Sequence, residues 1–154
     1  MRSGCPGVAK TEARHVPGFG RFMELAEVAF LVRSYNAKAV DALKPAVDRL
    51  KSGLSVCIAP EGTRSWTPNL GPFKKGPFHL AKQAGVPIVP VVLRNSGEIM
   101  GRNDQTMRGG TLQVAVLPPI DVSSWKVAEM ADRIEEVRQR YIDTLENWPT
   151  NKEK

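Results

Sequence analysis

The sequence predicts an α/β fold, a mixed and mostly parallel sheet flanked by helices, and three observations predict it. Short apolar runs alternate along the chain with longer segments whose apolar residues recur at helical spacing. Leu54–Ala59 is apolar except for Ser55, as a strand covered on both faces should be. Glycine and proline fall at the joints, as in Gly76-Pro77 and Gly85, where helices open and close. The order read from these signals is strand, helix, strand, helix, strand, helix, strand, strand, helix.

Taken in order, Gly7-Val8-Ala9-Lys10 has the composition of a strand end. Pro17–Val28 fits a helix, with Phe19, Phe22, Met23 and Ala26 on one side. Ala29-Phe30-Leu31-Val32 is a buried strand ending on Arg33. Asn36 is placed to cap a helix over Ala37–Lys51, whose apolar face is Val40, Leu43, Val47 and Leu50. Pro45 should kink or split that helix, and Gly53 should end it in a left-handed cap. Leu54–Ala59 follows as a strand, with Cys57 a small core residue. Gly76 to Gly85 is a short helix, and Pro87–Leu93 is a buried strand in which Pro90 marks an edge or a bulge. A long polar loop covers residues 94–110. Thr111–Leu117 alternates Leu112, Val114 and Val116 against Gln113 and Ala115, a strand with one face better covered. The last helix, Trp125–Asn147, starts at a Ser124 cap and carries Val127, Met130, Ile134, Val137, Tyr141 and Leu145 on its apolar stripe. Glu129–Arg133 and Glu136–Arg140 are its expected exposed ion pairs. One domain over residues 1–149 and a disordered tail at 150–154 account for the chain.

The 154 residues are 42% hydrophobic and 25% charged, in the range of a globular domain rather than a disordered chain. Their formal charge of +6 is uneven: residues 1–60 hold 9 basic and 5 acidic groups, 61–110 hold 7 and 3, and 111–154 hold 6 and 8. The positive excess surrounds Glu61-Gly62-Thr63-Arg64 and fits an anionic partner: a phosphorylated small molecule, an acidic lipid surface or nucleic acid. No helix or strand interleaves basic residues with aromatics, so nucleic acid is not expected. Two cysteines, Cys5 and Cys57, make neither a disulfide framework nor a metal motif, and no metal or cofactor is expected. No run reaches the ~18 apolar residues of a membrane span, and MRSGCPG lacks the apolar core of a signal peptide. The expected location is cytoplasmic, at most peripheral on the inner face of the plasma membrane.

Glu61-Gly62-Thr63-Arg64 follows Pro60 at a strand end, where α/β proteins bind ligands. Arginine offers a planar fork to phosphate, Gly62 permits a tight turn, and Glu61 can orient Arg64 or a substrate hydroxyl. A plain surface turn with a local Glu–Arg pair would read the same way. Lys74 and Lys75 stand just ahead of a helix N-terminus, which also favours anions, and Arg33 is a third cationic element. Trp66 can meet a membrane or an acyl chain, or simply pack its loop. Trp125 and Trp148 are expected to pack on the body of the domain, and Arg94, Arg102 and Arg108 to form a solvated basic loop.

Phe30-Leu31-Val32-Arg33, Glu61-Gly62-Thr63-Arg64-Ser65 and Val86-Pro87-Ile88-Val89-Pro90-Val91 resemble, in order, three sequence blocks of the glycerolipid acyltransferases, the group that contains 1-acyl-sn-glycerol-3-phosphate acyltransferase. Residues Gly71–Gly85 are similar to the stretch between the last two blocks. The resemblance runs from about Val8 to Pro149 and looks closest to members that follow a haloacid-dehalogenase-type phosphatase domain. It implies a glycerol-3-phosphate acyltransferase-like fold and acyl transfer from acyl-CoA or acyl carrier protein to a lysophosphatidic acid-like acceptor. By the same resemblance Arg33, Glu61, Gly62, Thr63 and Arg64 hold the glycerol phosphate. Lys74 and Lys75 add charge, and Pro87, Ile88, Val89 and Pro90 form a supporting strand.

One family block is missing. His-x-x-x-x-Asp supplies the general base, worth about 10²–10⁴ in rate, yet His15 and His79 are followed five residues on by Gly20 and Ala84. No catalytic residue is therefore assigned. The resemblance would put this block upstream of Met1, so the expectation is an inactive fragment lacking its N-terminal part. A gene-boundary error, a gene fragment and a pseudoenzyme would look alike. The alternative is a non-catalytic module that binds anionic lipid or phosphate at a membrane surface.

Overall fold

The computed structural model describes residues 8–10, 29–31, 39–63, 67, 69–101, 106 and 108–149, with side chains from Lys44 onward. They divide between two compact units, one drawn from residues 1–59 and 79–86, the other from residues 60–78 and 87–154. Helices and strands share the chain, as the α/β class requires. Among the described residues the strands form two pairs, one parallel and one antiparallel.

In the first unit β1 (Val8–Lys10) runs parallel to β2 (Ala29–Leu31), with Ala9 opposite Phe30. The expected helix over Pro17–Val28, Val32, the Asn36 cap and His15 lie outside the described residues. Helix α1 (Ala39–Lys51) runs through Pro45 without the split that was one of the two effects expected there. Pro45 is exposed, so the intrahelical bond it cannot donate is lost on the wet side, where water can replace it. Gly53 ends the helix at φ 86. Its N–H donates to Leu50 O at 3.1 Å and that of Leu54 to Arg49 O at 3.2 Å, the paired bonds of a left-handed glycine cap.

Beyond the cap, Leu54–Ala59 alternates instead of burying both faces. Leu54, Val56 and Ile58 are half-buried, while Ser55, Cys57 and Ala59 are exposed. The expected strand over Leu54–Ala59 is reduced to a single bridge residue at Cys57, and Cys57 is a surface residue rather than a core one, because extended chain sends successive side chains to opposite sides and only one side is covered here. Ile58 packs on Ala46, Val47 and Leu80, with Leu50 and Ala84 at the margin. Leu80 and Ala84 belong to α2 (Gly76–Ala84), which Gly85 ends at φ 69 with the same pair of bonds, Gly85 N to Lys82 O and Val86 N to Ala81 O.

The second unit is built on an antiparallel pair, β3 (Val91–Leu93) with β4 (Val114–Val116), Val92 opposite Ala115. Ile88 also bridges Ile120, with N–H···O distances of 2.9 and 2.7 Å. The register slips between the two contacts: Val89 and Pro90 face three residues, Leu117, Pro118 and Pro119. Of the edge or bulge expected at Pro90, the ladder shows a bulge whose extra residue lies on the opposite segment, Leu117–Pro119, where Pro118 and Pro119 give the ladder no donor. Pro90 keeps its acceptor role, taking the Leu117 N–H at 2.9 Å. A short helix, α3 (Ser96–Ile99), opens the polar loop after β3.

Helix α4 (Met130–Glu146) follows a 3-10 turn at Val127–Glu129. It buries Met130, Ile134 and Val137, and Tyr141 Oη accepts the Val91 N–H at 3.3 Å. Three expectations need correcting. The α-helix starts later than Trp125 and has no side-chain cap at either start; Asp121 instead holds Ser123, through its N–H at 2.8 Å and its hydroxyl at 2.9 Å. Val127 is 67% exposed, because the tighter turn that holds it rotates it off the stripe. Among the described residues the ion pairs are Lys126–Glu129, Arg133–Glu136 and Arg138–Glu135, all at three-residue spacing, which a helix surface serves as well as four.

One face of β3–β4 is better covered than the other, as expected, and it is the Ala115 side rather than the more apolar one. Val92 and Ala115 are buried, while Val91, Leu93, Leu112, Val114 and Val116 are exposed, and α4 packs on β3. Trp125 is buried and stacks on Phe78 at 6.2 Å, and Phe78 on Phe73 at 6.4 Å. Phe73 meets Tyr141 edge-on at 5.1 Å, a favoured aromatic geometry. No helix among the described residues is long and apolar enough to cross a membrane.

Candidate functional site

The described acceptor-loop part of the candidate site lies in the second unit, from Pro60 to Lys75. Pro60 and Glu61 enter a turn, and Gly62 takes φ 70, a conformation glycine adopts without steric cost. Glu61 and Gly62 are half-buried and Thr63 is exposed. Fourteen residues after Pro60, the Lys74 N–H donates to Pro60 O at 2.8 Å. This bond closes the loop at its base and sets the Glu61–Thr63 turn beside Lys74 and Lys75. Both lysines are exposed, and α2, which begins directly after them, has no acidic residue in its first turn. Cations, the N-terminus of a helix and a tight turn are the components of an anion site. Arg33, Arg64, Trp66 and Arg102 lie outside the described residues.

The loop is braced from inside. Glu61 Oε2 accepts the Gly71 N–H at 2.9 Å, and a Cβ at Gly71 would stand only 3.1 Å from that oxygen. From α4, Arg138 Nη2 donates to Leu70 O at 2.9 Å and Nε to Gly71 O at 3.0 Å. Arg138 Nη1 reaches Glu135 Oε1 at 2.7 Å. Sequence reasoning missed Arg138 and Gly71. A signal was there: Arg138 stands four residues after Ile134 and three before Tyr141, a cation at the edge of an apolar stripe.

The expected supporting strand is present in pieces. Pro87 and Val89 are exposed, Ile88 is half-buried in its bridge to Ile120, and Pro90 is buried. In the basic loop Arg94 lies 5.6 Å from the Trp148 ring centroid, within cation–π range. Arg108 Nη1 donates to Glu98 O at 3.4 Å. His79 is half-buried on α2. Among the described residues no three His, Cys, Asp or Glu side chains gather as a metal would need.

A family model described as Acyltransferase matches residues 2–94, which include the turn, both lysines and the Pro87–Pro90 strand. The chain belongs to the acyltransferase family. Relatives of this acyltransferase-family chain agree along most of its length. It is 37% identical over 145 residues to a 1-acyl-sn-glycerol-3-phosphate acyltransferase of Saccharomyces cerevisiae, covering 92% of this chain and 48% of that one. It is 36% identical over 143 residues to the enzyme of the same name from Limnanthes alba, covering 92% and 51%. Among solved structures it is similar to the 1-acyl-sn-glycerophosphate (LPA) acyltransferase PlsC from Thermotoga maritima, with a TM-score of 0.72, 28% identity, and coverage of 96% of this chain and 59% of that one. The chain therefore spans about half the length of the curated relatives it matches.

Proposed function

We propose that this chain is the acceptor-binding part of an acyltransferase of phospholipid synthesis and holds 1-acyl-glycerol-3-phosphate on the Glu61–Lys75 loop. Lys74, Lys75 and Arg64 supply the charge for the phosphate, and Glu61, Gly62 and Thr63 shape the turn that receives it. In the transfer that makes phosphatidic acid, the acceptor hydroxyl oxygen attacks the thioester carbonyl of acyl-CoA or acyl carrier protein. A C–O bond forms, the C–S bond breaks, the hydroxyl proton passes to a base, and the thiolate leaves with the electron pair. No His-x-x-x-x-Asp occurs in the 154 residues, so this chain is assigned binding without transfer. The accompanying fold reading is a mostly parallel sheet in the complete domain, in keeping with the parallel β1–β2 pair.

The observation that carries the reading is the Pro60–Lys74 bond, which brings turn and lysines together at the base of one loop. The relatives' names supply the substrate class. Calorimetric titration with monomeric lysophosphatidate tests it, alongside an assay of thiol release from acyl-CoA. Binding is expected, weakened about tenfold or more in K74Q/K75Q, with no thiol release. Absence of binding overturns the acceptor assignment, and acyl transfer by this chain overturns the assignment of binding alone.

A second reading has its own observation. Val91, Leu93, Val114 and Val116 are exposed on the unit that carries Lys74 and Lys75, which suits an anionic lipid surface at the cytoplasmic face of the plasma membrane. Cosedimentation with anionic but not neutral vesicles is then expected, and equal binding to both, or to neither, removes it.

A further inference from the structure

We infer that Arg138 is a positioning residue for the Glu61 turn, acting from outside residues 2–94 that the family model matches. The inference rests on the acceptor-loop reading above. Leu70 C=O and Gly71 N–H are the two ends of one peptide group, and both are held. Glu61 Oε2 takes the N–H at 2.9 Å, and Arg138 Nη2 gives to the C=O at 2.9 Å. The guanidinium also bonds the next carbonyl, Gly71 O, through Nε at 3.0 Å. Pro72 follows, and without an N–H it cannot help pair the loop with itself. A peptide group bonded at both ends is polarised and held in orientation.

The consequence falls on Glu61. A carboxylate accepts hydrogen bonds and donates none, so it would repel a phosphate rather than bind it. Its bond to Gly71 gives it another task. It anchors the residue just before Gly62 and Thr63 to a peptide that α4 fixes in place. Arg138 suits this work because its rigid fork can reach two successive carbonyls, which a lysine ammonium cannot do with the same geometry. Glu135 holds the far side of the fork at 2.7 Å, and the Arg138 side chain is only 23% exposed. The turn presented to the acceptor is therefore set in part by the last helix.

The test uses the full chain with glycerol 3-phosphate as probe, reading affinity by calorimetry and Gly71 amide exchange by NMR. R138Q should weaken binding about tenfold to a hundredfold and speed Gly71 exchange, with the far-ultraviolet dichroism of the wild type. R138K, which keeps the charge, should restore neither. The milder E135Q should shift both readouts in the same direction, which keeps the idea testable if R138Q folds poorly. R133Q, on the exposed side of the same helix, should change neither readout. In a double-mutant cycle E61Q and R138Q should be strongly non-additive, since both act on one peptide. Unchanged Gly71 exchange in R138Q, full rescue by lysine, or additive losses would each overturn the clamp. A wild-type chain that binds no glycerol 3-phosphate overturns the acceptor assignment itself, and Gly71 exchange then decides separately whether the clamp exists.

Discussion

Gly71 leaves room for a hydrogen and little else, because a Cβ there would sit 3.1 Å from Glu61 Oε2. Gly71→Ala should push that oxygen back by a few tenths of an ångström and lengthen the bond it accepts. The expected result is a loss of about 1 kcal/mol in stability by denaturant titration, with faster exchange of the residue-71 amide. Asp121 makes a different local claim. The Ser123 backbone N–H, then its hydroxyl, hold the Asp121 carboxyl below its ordinary value of 3.8. A depressed folded value means the stabilisation is present above the unfolded value and is lost as pH falls through the folded one. Asp121→Ala should therefore lower the melting temperature at about pH 6, and the gap from wild type should close toward about pH 2. A gap of constant size across that range would show that the ionised carboxylate is not what matters.

At the scale of elements, the two glycine caps are tests of backbone alone. Gly53 and Gly85 have φ of 86 and 69, and a Cβ at either would meet nothing within 4 Å. Alanine there adds no clash, only the left-handed backbone penalty of about 1–2 kcal/mol. Gly53→Ala should accordingly lower stability by that amount in a denaturant titration while leaving lysophosphatidate affinity unchanged. Both caps could be read from sequence because a cap is a local device: an apolar stripe, a glycine, and the next apolar run. An interruption of the ladder at Pro90, as an edge or a bulge, was legible for the same reason. The 3-10 entry to α4 was not. Ser124 has the chemistry of a cap, yet Asp121 already orders Ser123, and the α-helix begins only at Met130.

At the scale of the whole molecule, each unit depends on its own buried cluster, Ala46–Val47–Leu80 in one and an aromatic and aliphatic group in the other. Met130 is 1% exposed, and Met130→Ala should cost about 2–5 kcal/mol through lost contacts and the cavity left behind, seen as a lower denaturation midpoint. Because the candidate loop shares this unit through Arg138, that loss should also speed Gly71 amide exchange. A midpoint unchanged from wild type would contradict the packing described for α4.

The α/β class, the two glycine caps, a ladder interruption at Pro90 and the phosphate-suited composition of Glu61–Lys75 were all determined by the sequence alone. Each depends on neighbours in the chain or on a periodicity that a short window contains. Which strand face is covered was decided only by tertiary structure. Cys57 and Val116 sit in runs as apolar as any core strand, yet both are exposed, because burial depends on where a helix from elsewhere in the chain comes to rest. The same holds for the loop that opens at Pro60. Its charged residues are written in order along the chain, but the bond from Lys74 back to Pro60 and the grip of Arg138 on Leu70 and Gly71 span separations of 14 residues and more. Only folding brings such distant groups within hydrogen-bonding reach.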